Sequence, residues 1–145
     1  MPASVMIARR IKDAVIPATT GVMSVLPTGA TNGFQLTSDG SAAGTAGSYV
    51  EVIAADTITS EIRITSVVVD SFSDNVRHHI TVATGAGGAE VEIGTFVVGV
   101  GLTSHSPFVT VSMPNIPANT RVAMKSSVQN TLGVTCRVNI NYVTV

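Results

Sequence analysis

Charge is what this sequence most lacks. Lys, Arg, Asp and Glu make up 12% of its 145 residues, about half the share of an ordinary soluble domain. Tryptophan is absent and aromatic residues amount to 4%, a poor supply of stacking platforms for sugars or bases. With a single cysteine no intramolecular disulfide can form, and no N-x-[ST] acceptor points to a secretory route. A membrane-spanning helix needs about 18 continuous apolar residues. The uncharged stretch from Ile93 to Asn119 is instead cut by Gly, Ser, Thr, His and three prolines. The opening MPASVMIARRIKDAVIP places its charges after an apolar start and lacks a sustained apolar run before a small-residue cleavage site. It does not read as a secretory signal, and Met1 is expected to be a genuine start. A net charge of -1 and a pI near 6.2 argue against general nucleic-acid binding.

What is present is a period of two. Short alternating segments rich in Val, Ile and Thr are bounded by Gly, Pro, Ser and Asn, the pattern of strands rather than helices. Strands are expected over Ser48 to Ala54, Glu61 to Ser71, Val76 to Thr84, Glu90 to Val98, Phe108 to Met113, Thr120 to Ser127 and Val134 to Thr144. An eighth is expected from Phe34 to Thr37 or from Val22 to Leu26. No helix-length periodic segment separates them to make crossovers, so a sandwich or jelly roll fits better than a parallel sheet. The expected fold is all-β, an antiparallel two-sheet sandwich of jelly-roll type. Mean hydropathy is +0.43, and at this length one domain buries roughly two thirds of its unfolded surface.

The domain is read as residues 34–145, preceded by an extended arm over residues 1–33 that carries the basic cluster Arg9, Arg10 and Lys12. Within the arm, Ser4 to Val15 fits an amphipathic helix capped by Ser4 and an extended segment about equally well. SDGSAAGTAGS, Ser38 to Ser48, reads as a loop. Cys136 belongs to the alternating set Val134, Cys136, Val138, Ile140, Tyr142, which predicts a buried, inert thiol on the inner face of a strand.

The residue types suited to chemistry do not assemble into a site. His78 and His79 are neighbours on a strand, so their side chains leave opposite faces and cannot bind one ion together. Both are read as surface or interface histidines, and His105 is remote in sequence. TGAGGAE lacks the G-K-[ST] ending of a phosphate loop and is read as a wide hairpin turn. Ser104, His105 and Ser106 have neither a nucleophile elbow nor an acid at a defined spacing. Glu90 and Glu92 share one strand face, the placement needed for paired acid/base work on a sugar. A solvated or ion-paired outer face is the preferred reading, given the few aromatics. In IPANTRVAMKSS, Val122 and Met124 share one face and Arg121, Ala123 and Lys125 the other. The cations of that outer face are expected to pair with Glu90 and Glu92, across the sheet or across a subunit boundary. No cofactor, metal, nucleic acid or membrane partner is expected, and no enzymatic activity.

The order ADTITSEIRITSVVVDSF, HHITVATGAGGAEVEIG, SMPNIPANTRVAMKSS and a terminal alternating strand resembles the small jelly-roll cement or decoration proteins of tailed-bacteriophage heads. The resemblance covers roughly Ser48 to Val145, and its most specific piece is IPANTRVAM. It implies a dimer or trimer on the outer surface of an icosahedral virion that clamps neighbouring major capsid subunits. It transfers no functional position. From this sequence itself, Arg9, Arg10 and Lys12 are expected to lie along an acidic groove between capsid subunits. The alternative is a receptor- or glycan-binding module of a tail fibre or spike with the same sandwich. A host carbohydrate-binding domain is a third reading.

Overall fold

A computed structural model of the chain describes residues 23–28, 33–39, 46–99, 108–129 and 133–145. These contain nine strands: β1 (Ser24–Leu26), β2 (Phe34–Thr37), β3 (Val50–Ile53), β4 (Ile62–Phe72), β5 (Arg77–Thr84), β6 (Val91–Gly99), β7 (Phe108–Thr110), β8 (Val122–Val128) and β9 (Thr135–Thr144). Both candidates for an eighth strand form, as β1 and β2. They pair in line with the same partner, Ser24–Leu26 against Tyr142–Ile140 and Phe34–Thr37 against Val138–Thr135. They are therefore two pieces of one edge strand, interrupted opposite Asn139. Ser24–Leu26, inside the range read as an arm, thus belongs to the sandwich. No helix among the described residues is long and apolar enough to cross a membrane.

Pairing is nested and antiparallel throughout. β5 pairs β6, β4 pairs β7, β3 pairs β8, and the β1/β2 strand pairs β9. Rolling this long double ribbon brings β9 beside β4 and β8 beside β5. One sheet then runs β1/β2-β9-β4-β7 and the other β3-β8-β5-β6. This order is the eight-stranded jelly roll built of two Greek keys.

The core lies between the sheets. Leu36, Ile64, Val67, Val138 and Ile140 face Ile80, Val82, Val122 and Met124, each with no exposed surface. The β9 alternation holds as read: Val134, Cys136, Val138 and Ile140 are buried and Tyr142 packs at the core's margin.

In β4 the pattern slips twice, and the register explains why. Ile62 and Ile64 point inward, then Val67 and Val69, then half-buried Phe72, while the pairing with β9 shifts between Ile64 and Ser66 and again between Val69 and Ser71. Each bulge adds a residue, Thr65 and Asp70, and exchanges the faces that follow. At the first bulge Ser66 pairs with Asn141. Both are buried, and the Asn141 amide donates to Ser66 Oγ at 2.8 Å.

Candidate functional site

The charged residues singled out in the sequence converge on the outer face of the β3-β8-β5-β6 sheet. Arg121 is delivered there by the turn before β8. Asn119 takes a left-handed φ of 62°, which Asn tolerates better than most residues. Its N–H bonds the Ile58 carbonyl at 2.8 Å, and its carbonyl accepts from Asp56, itself at φ 60°. These bonds tie the β3-β4 loop to the entry of β8. From there Val122 and Met124 point inward, and Arg121, Ala123 and Lys125 outward.

Glu90 and Glu92 reach the same face by a different device. Strict alternation would put Glu92 with Gly94, Phe96 and Val98, whose cross-strand partners Val82, Ile80 and His78 are core residues. The register shifts instead: Val82 stands opposite Gly94 but Ala83 opposite Glu92, leaving Ile93 as a bulge. The extra residue turns Glu92 outward while Ile93 stays against the core.

The cations and carboxylates are not on adjacent strands, because β5 lies between β8 and β6. Two strand spacings amount to about 9 to 10 Å, a gap that only long side chains meeting midway can close. Arg121 Nη1 contacts Glu90 Oε1 at 3.1 Å, and Lys125 Nζ contacts Glu92 Oε1 at 2.8 Å. β5 makes room with small side chains, Ala83 fully buried and Thr81 nearly so although both point outward, since the ion pairs roof them. The expected pairing is thus made across the sheet, within one chain.

Three neighbours that sequence reasoning missed complete the band. Glu51 on β3 takes Arg121 Nε at 2.7 Å, the Gly85 carbonyl takes Arg121 Nη1 at 3.0 Å, and Lys125 Nζ sits 4.5 Å from the centre of the Tyr49 ring, a cation–π contact. The Tyr49 hydroxyl also donates to Glu92 at 3.3 Å. The one available signal was Glu51 as the lone charge in the alternating VEVI of β3.

Protonation follows this geometry. The Glu90 carboxyl is held below its ordinary value first by its own backbone N–H, then by Arg121 and the Gly88 N–H. Glu92 is lowered chiefly by the Lys125 hydrogen bond, which in turn raises Lys125. A glycosidase general acid needs a carboxyl pushed upward. Both carboxyls move the other way, and each is committed to a cation. The carboxylates support the fold above the ordinary carboxylate range and lose that contribution as pH falls through their depressed values. Lys125 contributes below its ordinary value and loses it as pH rises through the raised one.

Reversing one partner tests the band. Lys125→Glu places like charges together and is expected to lower the melting temperature slightly at low ionic strength. Adding Glu92→Lys should restore most of the loss, and 0.5 M salt should shrink the difference. A double variant no better than the single one would contradict the pairing.

The histidines divide. His79 is exposed, but His78 is fully buried, which corrects its reading as a surface residue. β5 pairs with β8 without a shift, so its inner face runs His78, Ile80, Val82 by plain alternation. No cluster of His, Cys, Asp and Glu suited to a metal occurs among the described residues. TGAGGAE forms the β5-β6 turn, with Gly85 and Gly88 at φ 110° and 84°. Cys136 is buried. Arg9, Arg10, Lys12 and the Ser104–His105–Ser106 group lie outside the described residues.

No family model and no curated protein matches the sequence. A solved structure described as "Structure of infectious bursal disease virus Gt strain" is similar with a TM-score of 0.44 and 11% identity, over 86% of this chain and 32% of that one. This chain therefore spans about a third of the neighbour's length. At that distance the likeness carries no argument, and the jelly-roll assignment rests on the strand order.

Proposed function

We propose that this chain is a structural virion protein that binds the outer surface of an icosahedral phage capsid and cements neighbouring major capsid subunits. The observation that carries the reading is the nested jelly-roll strand order in a chain whose grouped charges neutralise one another instead of forming a reactive centre. Jelly rolls build viral capsid and lectin domains. The lectin side of that choice is weakened by the scarcity of aromatics and by carboxylates already occupied by Arg121 and Lys125.

In this reading the protein acts through many modest contacts repeated over a symmetric lattice, so avidity supplies strength that no single contact has. The basic residues Arg9, Arg10 and Lys12 lie along an acidic groove between capsid subunits. The ion-paired face carrying Glu90, Glu92, Arg121 and Lys125 meets the shell or the next copy in a dimer or trimer. Low overall charge and exposed aliphatic side chains such as Met23, Val25, Val91 and Val97 suit a surface completed by neighbours.

Purified protein added to undecorated heads is expected to give regular density at lattice symmetry positions and to raise the temperature at which heads rupture. Removing residues 1–20 should weaken binding, with a salt dependence that reports the lost cations. Binding to cells or sugars but not to heads would overturn the assignment in favour of a receptor-binding module.

A further inference from the structure

We infer that His78 is an acid-sensitive latch at one end of the sandwich, holding the end of β4, the start of β5 and the end of β8 together while neutral and releasing them when protonated. The side chain has no exposed surface. Its Nδ1 lies 2.8 Å from Ser126 Oγ on the neighbouring β8, a bond between two strands made inside the core. Its ring also packs on Phe72, the last residue of β4, with centroids 5.4 Å apart. One imidazole thus joins β5 to both its own sheet and the facing one.

The other nitrogen is what makes the contact conditional. Among the described residues, Nε2 of His78 is the one buried side-chain nitrogen or oxygen with no hydrogen-bond partner. Neutral imidazole satisfies Ser126 through Nδ1 and leaves Nε2 facing apolar groups at tolerable cost. The cation puts a proton on both nitrogens, and an N–H at Nε2 would find no acceptor. Burying an unpaired charged donor is far costlier than burying a neutral one. Among the described residues no acid offsets this: β4 presents Phe72, β6 presents Val98, and β8 presents Ser126 and Val128. On β5 itself Arg77 and His79 alternate to the exposed face. Burial by itself depresses the basicity of the ring.

Placement turns this penalty into a local device. His78 is the second residue of β5, Val98 the penultimate residue of β6, and Val128 the last of β8. The strands end together at the β4-β5 turn, so hydrating the ring requires opening only their terminal pairs. β9 and the middle of β4 stay closed. The inference does not depend on the virion reading.

A histidine whose folded-state affinity for protons is depressed leaves the unfolded chain binding more protons, so stability falls as pH drops below about 6.5. The unfolding equilibrium constant is expected to rise by up to about tenfold per pH unit in that window, above the range where carboxylates titrate.

Amide hydrogen exchange and urea unfolding of the full chain between pH 7.5 and 5.5 test it. Protection factors at Phe72, Arg77–Ile80 and Ser126–Val128 should fall with acid before those at Ile64, Val67 and Ile140 change. His78→Asn, which keeps a donor toward Ser126 and cannot titrate, should abolish the pH dependence, and His79→Gln should leave it intact. If His78→Asn does not fold, the wild-type imidazole signal followed by NMR still decides. Titration of His78 at the ordinary histidine value, a pH slope surviving in His78→Asn, or uniform loss of protection would each overturn the latch.

Discussion

Ile140→Ala is expected to destabilise the protein by about 2 to 5 kcal/mol and to lower its melting temperature by on the order of 10 °C. β9 is the hub of its sheet, with β1/β2 along one side and β4 along the other, and Ile140 stands between Leu26 and Val67 in that register. It has no exposed surface and belongs to the core cluster shared by both sheets. Truncation removes the transfer free energy of three carbons and leaves a cavity. Walls built from paired strands on both sides cannot collapse to fill it. Val97→Ala is the matched control, since Val97 on β6 is 49% exposed. Chemical unfolding by circular dichroism reads both. A loss below about 1 kcal/mol at Ile140 would mean that the two sheets do not close on each other there.

The second large effect comes from adding one carbon. Gly47→Ala should cost about 1 to 3 kcal/mol, toward the upper part of that span. Gly47 passes between the sheets at the β2/β3 flank. Its N–H donates to the Ser126 carbonyl of β8 at 2.8 Å, and a Cβ would run into the Thr37 carbonyl of β2. The obstacle is backbone of a strand paired with β9, and the Gly47 N–H is itself held to β8, so no side chain can swing away. Gly87→Ala in the β5-β6 turn is the control, because a Cβ there meets nothing within 4 Å, and it should be neutral. Equal behaviour of the two variants would show that the Gly47 crossing is not tightly packed.

The site was legible in halves. Which side chains leave each face of β8, and that two carboxylates needed cations, could be read from spacing. The routes between them could not, because Lys125 reaches Glu92 over Thr81 and Ala83, and Arg121 reaches Glu90 past Gly85, along a strand whose position no local pattern reveals. Glu51 was missed for the same reason, lying 70 residues from Arg121 in sequence. His78 shows the opposite failure. Its strand and phase were clear, yet polarity suggested the surface, whereas the inner face runs to the end of β5 and a serine on β8 supplies the bond that makes burial tolerable.

The sequence by itself determined an all-β chain, the approximate span of nearly every strand, and the inward sets of β8 and β9. Period two is a property of the extended backbone and needs no partner to be expressed. Only the tertiary structure decided the order of strands, the joining of β1 and β2 into one edge, and the bulges at Thr65, Asp70 and Ile93. Each of these depends on which backbone lies alongside, and one inserted residue exchanges the faces of everything that follows.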